Sequence, residues 1–272
     1  MPFPRGYGVA GRWLALFVAL LAVSGHASER RYYFDDLGSE RGLASHTITG
    51  LFQDNTGYMW IATQSGLDRY DGYEYRLFQH HAHDADSLPE SFVTAVAQDA
   101  QGRLWVGGLS QGLAALDPAS GKVVARSRIG EQQARPRDAI AALLFDPARG
   151  LWVGTAAGIE LMNPVDRSRR ELYRFPAGNK SPRVFQFHLA GNGALWAATS
   201  SGLLRFAPKS DVAQPVASGF LPLALCVLTG DDGVVYAGGT DGLFRVDAAA
   251  DSEQRLWPDT GPAPGMAQVR AM

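Results

Sequence analysis

Few residues in this chain of 272 have the type and spacing to do chemistry. The densest set of metal-capable side chains is His80-His81-Ala82-His83-Asp84, flanked by Asp86, Ser87 and Pro89. A metal centre needs ligands converging from fixed backbone, so one contiguous tract of this kind reads as a solvated loop. Asp54 to Gly57 and Asp99 to Gly102 form Asp-x-x-Gly motifs, in which a carboxylate bonds backbone amides of a tight turn. Cys226 is the single cysteine. It sits in an apolar run, Leu223 to Leu228, and reads as a small core residue; standing alone, it also excludes an internal disulfide framework. No His-Glu-x-x-His or phosphate-cradling Gly-Lys-[Ser/Thr] motif occurs, and no Ser/His/Asp set stands out by spacing. The sequence therefore points to no catalytic residue, no metal ligand and no cofactor.

The elements that would have to position any site are more legible. The stretch Asp54 to Gly72, DNTGYMWIATQSGLDRYDG, recurs around Trp105, Trp152 and Trp196, and in weaker form around Tyr236. Taking Trp60 and those four aromatics as equivalent gives spacings of 45, 47, 44 and 40 residues. Six residues past the aromatic comes a glycine, at Gly66, Gly158, Gly202 and Gly242; Gly112 lies seven past, so that turn carries one extra residue. Leu67, Leu113, Ile159, Leu203 and Leu243 come directly after. Twelve before the aromatic stand Ile48, Val93, Ile140, Val184 and Ala224. In the first copy the turn signals separate four short strands, roughly Thr47–Gln53, Tyr58–Thr63, Leu67–Tyr70 and Tyr73–Gln79.

Around each aromatic the strand is apolar on both sides, as in Met59-Trp60-Ile61 and Leu151-Trp152-Val153, so both faces of its sheet must be covered. A repeat of about 40–45 residues with four strands is one blade of a β-propeller. The fold class is therefore all-β: a β-propeller of four-stranded blades with five complete repeats. Pro264 to Met272 begins a sixth, Val269 matching Ile48. Ala62, Gly107, Gly154 and Ala198, two residues past the aromatic, are small where neighbouring blades approach closely. The tryptophans are core rather than a binding stack.

Composition agrees. Apolar residues make up 46% and charged residues 19% of the chain, which argues for a packed domain and against disorder. The 31 glycines and 15 prolines read as the turns of many short strands. A formal net charge of −2 gives no general attraction to nucleic acid or anionic lipid. Residues 1–27 differ: Arg5 and Arg12, the apolar run Trp13 to Val23, then Ser24-Gly25-His26-Ala27, the layout of a secretory signal cleaved after Ala27. The run has 11 residues against the ~20 of a spanning helix, which leaves a retained N-terminal anchor as the alternative. The exported part, residues 28–272, is then the partial propeller, and its expected location is the periplasm.

A site hypothesis comes from where the copies disagree. Just before the first strand, thirteen or fourteen residues ahead of the aromatic, stand His46, Ser91, Asp138 and Arg183, with Arg137 beside Asp138. These positions are polar and differ between copies, and equivalent loops open on one face around the axial channel. Variation in a repeated frame is where a ligand-reading surface could be written, although ordinary loop chemistry explains the same residues.

The phrases DNTGYMWIATQSGLDRYDG, DAQGRLWVGGLSQGLAALD and RGLWVGTAAGIELMN resemble two-component regulator propeller repeats, with their Asp-x-x-Gly turn, Leu-Trp-[Ile/Val]-Gly-Thr strand and Gly-Leu step. The third copy shifts its turn glycine to Gly150, the fourth has Ala190 for the turn aspartate, and the fifth has Tyr236 for Trp. The resemblance covers about residues 30–272. It implies the periplasmic sensor region of a bacterial signalling protein, in which seven-bladed propellers precede a β-sandwich, a membrane helix and a cytoplasmic histidine kinase or diguanylate cyclase.

On that pattern this chain is expected to be an N-terminal fragment, with any membrane tie made through a missing C-terminal segment or a retained anchor. A homodimer of the full-length parent would be in keeping with it. An open five-blade arc would expose an apolar blade face and is expected to aggregate or recruit a partner. The expected function is sensing of an unknown small-molecule, carbohydrate or peptide cue. Two alternatives stay open: a secreted propeller enzyme acting on carbohydrate, lyase or hydrolase, and a protein-interaction scaffold.

Overall fold

The computed structural model describes residues 42–127, 139–176, 181–216, 223–247 and 252–258, together with Gly38 and Glu40. Residues 1–27, expected to be a secretory signal, Arg137, Asp138 and the start of the sixth repeat lie outside the described residues. The chain divides into two units, Met1–Asp36 and Leu37–Met272. The first is wholly outside the described residues, and the strands described below belong to the second.

Among the described residues, twenty strands form five four-stranded antiparallel sheets, one per complete sequence repeat. The first blade holds β1 (Ile48–Gln53), β2 (Met59–Thr63), β3 (Leu67–Tyr70) and β4 (Tyr75–Phe78). The second holds β5 (Val93–Gln98), β6 (Leu104–Gly108), β7 (Leu113–Leu116) and β8 (Val123–Ser127). The third holds β9 (Ile140–Asp146), β10 (Gly150–Thr155), β11 (Gly158–Met162) and β12 (Arg169–Arg174). The fourth holds β13 (Val184–Leu189), β14 (Leu195–Thr199), β15 (Gly202–Phe206) and β16 (Ala213–Pro215). The fifth holds β17 (Ala224–Thr229), β18 (Val235–Gly239), β19 (Gly242–Asp247) and β20 (Ser252–Trp257). Within each blade the strands pair in chain order, so sequence neighbours are sheet neighbours.

The strand limits expected for the first blade hold to within two residues, with one physical correction at β4. Asp71 Oδ1 accepts the Tyr73 N–H at 2.8 Å and the Glu74 N–H at 2.9 Å. Those bonds keep Tyr73 and Glu74 in the turn, and pairing begins at Tyr75 opposite Tyr70.

First strands of successive blades pack on one another, β1 on β5, β5 on β9, β9 on β13 and β13 on β17, which places them innermost. Each first strand carries an irregularity at its second residue, where the register skips between Ile48 and Gly50, Val93 and Ala95, Ile140 and Ala142, Val184 and Gln186, and Ala224 and Cys226. A bulge leaves one residue unpaired and re-aims its side chain. Thr49 and Thr94 use that freedom to reach the next blade: the Thr49 hydroxyl donates to the Val93 carbonyl, and the Thr94 hydroxyl to the Ile140 carbonyl.

The core is divided among the interfaces. Four apolar clusters each join two adjacent blades, built around Trp60, Trp105, Trp152 and Trp196. Alternation along a strand explains how one sheet serves two of them. Trp105 packs toward the third blade with Ile140, Leu151 and Met162, while Leu104 and Val106 pack toward the first with Trp60. The first blade is the exception on its outer side: Ile48 and Leu51 are 49% and 66% exposed, whereas Val93 and Ile140, equivalent to Ile48, are each 1% exposed.

Small residues set the blade spacing. A Cβ added at Gly107 would lie 2.7 Å from Ile140 Cβ, and one at Gly154 would lie 2.6 Å from Val184 Cβ. Gly154→Val is therefore expected to force the third and fourth blades apart, costing about 1–3 kcal/mol as overpacked cores do. Urea unfolding checks it, and an unchanged midpoint would show that the interface yields freely.

Candidate functional site

The repeated turns carry the most polar chemistry, and it is directed inward. Asp54 Oδ1 accepts from the Thr56 N–H at 2.9 Å, the Thr56 hydroxyl at 2.6 Å and the Tyr58 N–H at 3.0 Å. Its Oδ2 accepts the indole N–H of Trp60 at 2.7 Å. Asp99 repeats the scheme with Gln101, Arg103 and, at 2.8 Å, the indole of Trp105. Both carboxylates are buried. These aspartates join the turn to the core tryptophan.

Burial works against charge on Asp54, but the bonds from Thr56, Trp60 and Tyr58 outweigh it and hold the carboxyl below its ordinary value. A depressed carboxylate contributes stability that is fully present above the unfolded value of about 3.9 and is lost as pH falls through the lower folded value. Unfolding midpoints followed from about pH 5 to pH 2 should fall in the wild type, and Asp54→Asn should flatten that dependence. Parallel curves for the two proteins would rule out Asp54 as a source.

The later blades depart from this scheme. In the third, Asp146 spends Oδ2 on Arg149 at 2.7 Å, and the buried indole N–H of Trp152 has no partner among the described residues. In the fourth and fifth, Ala190 and Gly230 stand at the aspartate position, and the turn acceptor moves two residues on. Asn192 Oδ1 accepts the Ala194 N–H and Asp232 Oδ1 the Val234 N–H, each at 3.0 Å.

Of the residues singled out by their variation, His46, Ser91 and Arg183 lie at the leading ends of the inner strands, on the face away from the aspartate turns. His46 and Arg183 are exposed there, and the Arg183 guanidinium stands 5.7 Å from the centre of the Phe185 ring. Phe185 is the bulge residue of its strand and is half-buried, as are Ala141 and Leu225 at the same place in the neighbouring blades. Ser91 is half-buried, and its hydroxyl accepts the His80 N–H at 3.2 Å, so it buttresses the loop before it. Arg137 and Asp138 lie outside the described residues.

Glu90, beside Ser91, has a role that the sequence alone did not reveal. Its carboxylate accepts the N–H groups of Ser110 and Gln111, each at 2.8 Å, and the Ser110 hydroxyl at 3.1 Å. Gly108 leaves room for it, since an added Cβ would displace the carboxylate. In the fourth blade the Arg183 N–H donates to Ser200 Oγ at 3.0 Å, and the Ser200 N–H to the Arg183 carbonyl at 2.9 Å. Lead-in segments and the loops between second and third strands are thus clasped together, which fixes the backbone under the exposed side chains. A polar neighbour at fifteen residues before Trp105 was the available signal; its partners, twenty residues away, were not.

The histidine tract is an exposed loop. His81, His83 and Asp84 are exposed, Asp84 N–H caps the His81 carbonyl at 3.0 Å, and the loop is tied at its end by Lys122 to Asp86 at 2.9 Å. Among the described residues no group of three His, Cys, Asp or Glu is placed to hold a metal ion. Cys226 is buried, and burial pushes its thiol up, in keeping with a core residue.

Radial four-stranded blades around adjoining first strands define a β-propeller. The fold matches that of an extracellular domain assigned to a hybrid two component system of B. thetaiotaomicron, with a TM-score of 0.69 and 19% identity over 82% of this chain and 32% of that one. A second such domain, assigned to a one component system of the same organism, gives 0.64 and 21% over 80% of this chain and 31% of that one. Virginiamycin B lyase from Staphylococcus aureus shares the fold at 0.59 and 14%, over 78% of this chain and 71% of that one. The family model for the two component regulator propeller matches residues 42–65 and 87–110. Each match runs from the lead-in loop through the tryptophan strand, in the first and the second blade. A 78-residue segment is 24% identical to Histidine kinase P4 of Formosa agariphila, covering 29% of this chain and 6% of that protein. The chain thus spans about a third of the length of the first two solved structures and a small part of the kinase.

Proposed function

We propose that this chain is the cue-binding propeller of a bacterial signal-transduction protein, that it works in the periplasm, and that its lead-in face reads the cue. The observation that carries the reading is the pairing of two regulator-propeller repeats with a fold shared with extracellular domains of signalling systems. The geometry supports a division of labour. Tryptophans, turn aspartates and interface glycines are committed to holding blades together, while His46 and Arg183 project from a clasped backbone on one face. Binding there would be passed to an output domain, a histidine kinase or a diguanylate cyclase, through the inner strands that join neighbouring blades.

Thermal-shift measurements on the purified chain against neutral sugars, short peptides and small acids test this. At least one class is expected to raise Tm, because a ligand bound only by the folded state stabilises it. In His46→Ala/Arg183→Ala the rise for that class should be lost. An equal rise in the double variant would place recognition elsewhere and overturn the assignment to this face.

A further inference from the structure

The joint between the fourth and fifth blades is made from different side chains than the joints before it. β17 is an edge strand, bonded on one side only, to β18, so the N–H groups along its free edge need other acceptors. Side chains of β13 supply them. Gln186 Oε1 accepts the Val227 N–H at 2.8 Å, and His188 Nε2 accepts the Thr229 N–H at 3.0 Å. The Thr229 hydroxyl lies 3.0 Å from the same ring nitrogen. At the position of His188, eight residues before the aromatic, the other blades carry Phe52, Ala97, Leu144 and Leu228. The first three of these pack into the apolar clusters of their own joints. Among the five copies, the fourth alone puts an ionisable side chain there.

A nitrogen that accepts carries no proton, so the bond to Thr229 requires the neutral ring with its proton on Nδ1. His188 is half-buried, and burial pushes its imidazole below the ordinary histidine value. Among the described residues no carboxylate is hydrogen-bonded to the ring. Arg183 stands at the leading end of the same strand, and Arg205 of β15 is paired with Trp196, itself opposite His188. On the fifth blade, the turn after Thr229 brings Asp231 and Asp232, and β20 sets Glu253 opposite Val246 and Arg255 opposite Phe244. Cys226, Tyr236, Arg245 and Asp247 lie on the other face of that sheet. Behind β13, β9 ends at Asp146, which is held by Arg149; β10 and β14 carry no charge.

We propose that this joint is an acid-sensitive latch, in which a proton on His188 Nε2 breaks the bond to the Thr229 N–H and frees the edge of β17 from the fourth blade. The protonated nitrogen can donate to the Thr229 hydroxyl, but the amide N–H then faces a donor and must turn to water. A cavity of about 790 Å³ with Thr229 and Trp196 in its wall has room for that water. The folded state takes the proton less readily than the unfolded chain does. The stability that the latch contributes is therefore fully present above the unfolded value of about 6.5, declines as pH falls through it, and is lost below the lower folded value. That window lies above the one in which Asp54 titrates, and it involves neither the ligand nor the lead-in face.

The test is hydrogen exchange of the purified chain at about pH 7.5 and about pH 5.5, either side of the histidine range, corrected for the intrinsic pH dependence of exchange. Protection of the β17 amides 224–229 is expected to fall about five- to tenfold at the lower pH, the effect of losing one hydrogen bond. Protection of the β5 amides 93–98 should not change. His188→Gln keeps an acceptor that does not titrate, as Gln186 already does beside it, and should show no acid step in β17. His188→Leu, the residue type of Leu144 in the preceding blade, removes the acceptor altogether and should show no acid step either, which keeps the test decisive if glutamine packs poorly. Equal protection of β17 at both pH values in the wild type, an equal loss in β5, or a wild-type acid step in either variant would overturn the proposal.

Discussion

Replacing Trp105 with alanine is expected to lower the unfolding free energy by about 3–5 kcal/mol, the usual cost of truncating a large buried aromatic. The side chain is wholly buried and packs with Leu113, Ile140, Leu151 and Met162, so its loss opens a hole between the second and third blades. The surroundings cannot close it easily, because Gly107 already sets the two blades at close approach. Urea unfolding of wild type and variant measures the effect, and a cost under about 1 kcal/mol would mean that the interface repacks. A finer contrast uses phenylalanine. Trp105→Phe removes the donor to Asp99 at 2.8 Å and should cost about 1 kcal/mol or more. Trp152→Phe removes an indole N–H that has no partner among the described residues, so its cost should be smaller.

Removing the other half of that bond has the second largest expected effect. Asp99→Ala takes away the acceptor for the Gln101 and Arg103 N–H groups, each at 3.0 Å, and for the Trp105 indole and Arg103 Nε, each at 2.8 Å. The turn groups can turn to water, but the indole N–H is left buried and unpaired, which alone costs about 1–3 kcal/mol. With the turn loosened as well, about 2–4 kcal/mol is expected in the same unfolding experiment. Asp146→Ala is the control: its carboxylate holds Arg149 and the Ala148 N–H but no indole, so it should cost less. Equal losses at Asp99 and Asp146 would refute the link from turn to tryptophan.

Much of this frame is legible in the amino-acid sequence. An aromatic recurring every 40–47 residues, a glycine six or seven past it and apolar neighbours on both sides together specify a sheet covered on both faces. That the first strands would carry bulges was not legible, because the irregularity serves contacts with the next blade. Thr49 means nothing until the Val93 carbonyl stands beside it. The same holds for Glu90, whose partners come from a loop twenty residues away. Ala190 was visible as a departure from the turn motif, but its consequence was not. The acceptor of that turn moves to Asn192, whose Oδ1 takes the Ala194 N–H. Of the lead-in residues, Ser91 is bonded to its own loop, whereas His46 and Arg183 stand exposed.

The central claim is that the repeated positions hold the blades and the unlike ones meet the ligand. Hydrogen exchange on the purified chain, with and without the cue class that raises Tm, tests it most directly. Slowed exchange is expected in the lead-in segments 42–47, 89–92 and 181–183. Slowed exchange confined to the repeated turns 54–57 and 99–102, with the lead-in segments unchanged, would contradict it.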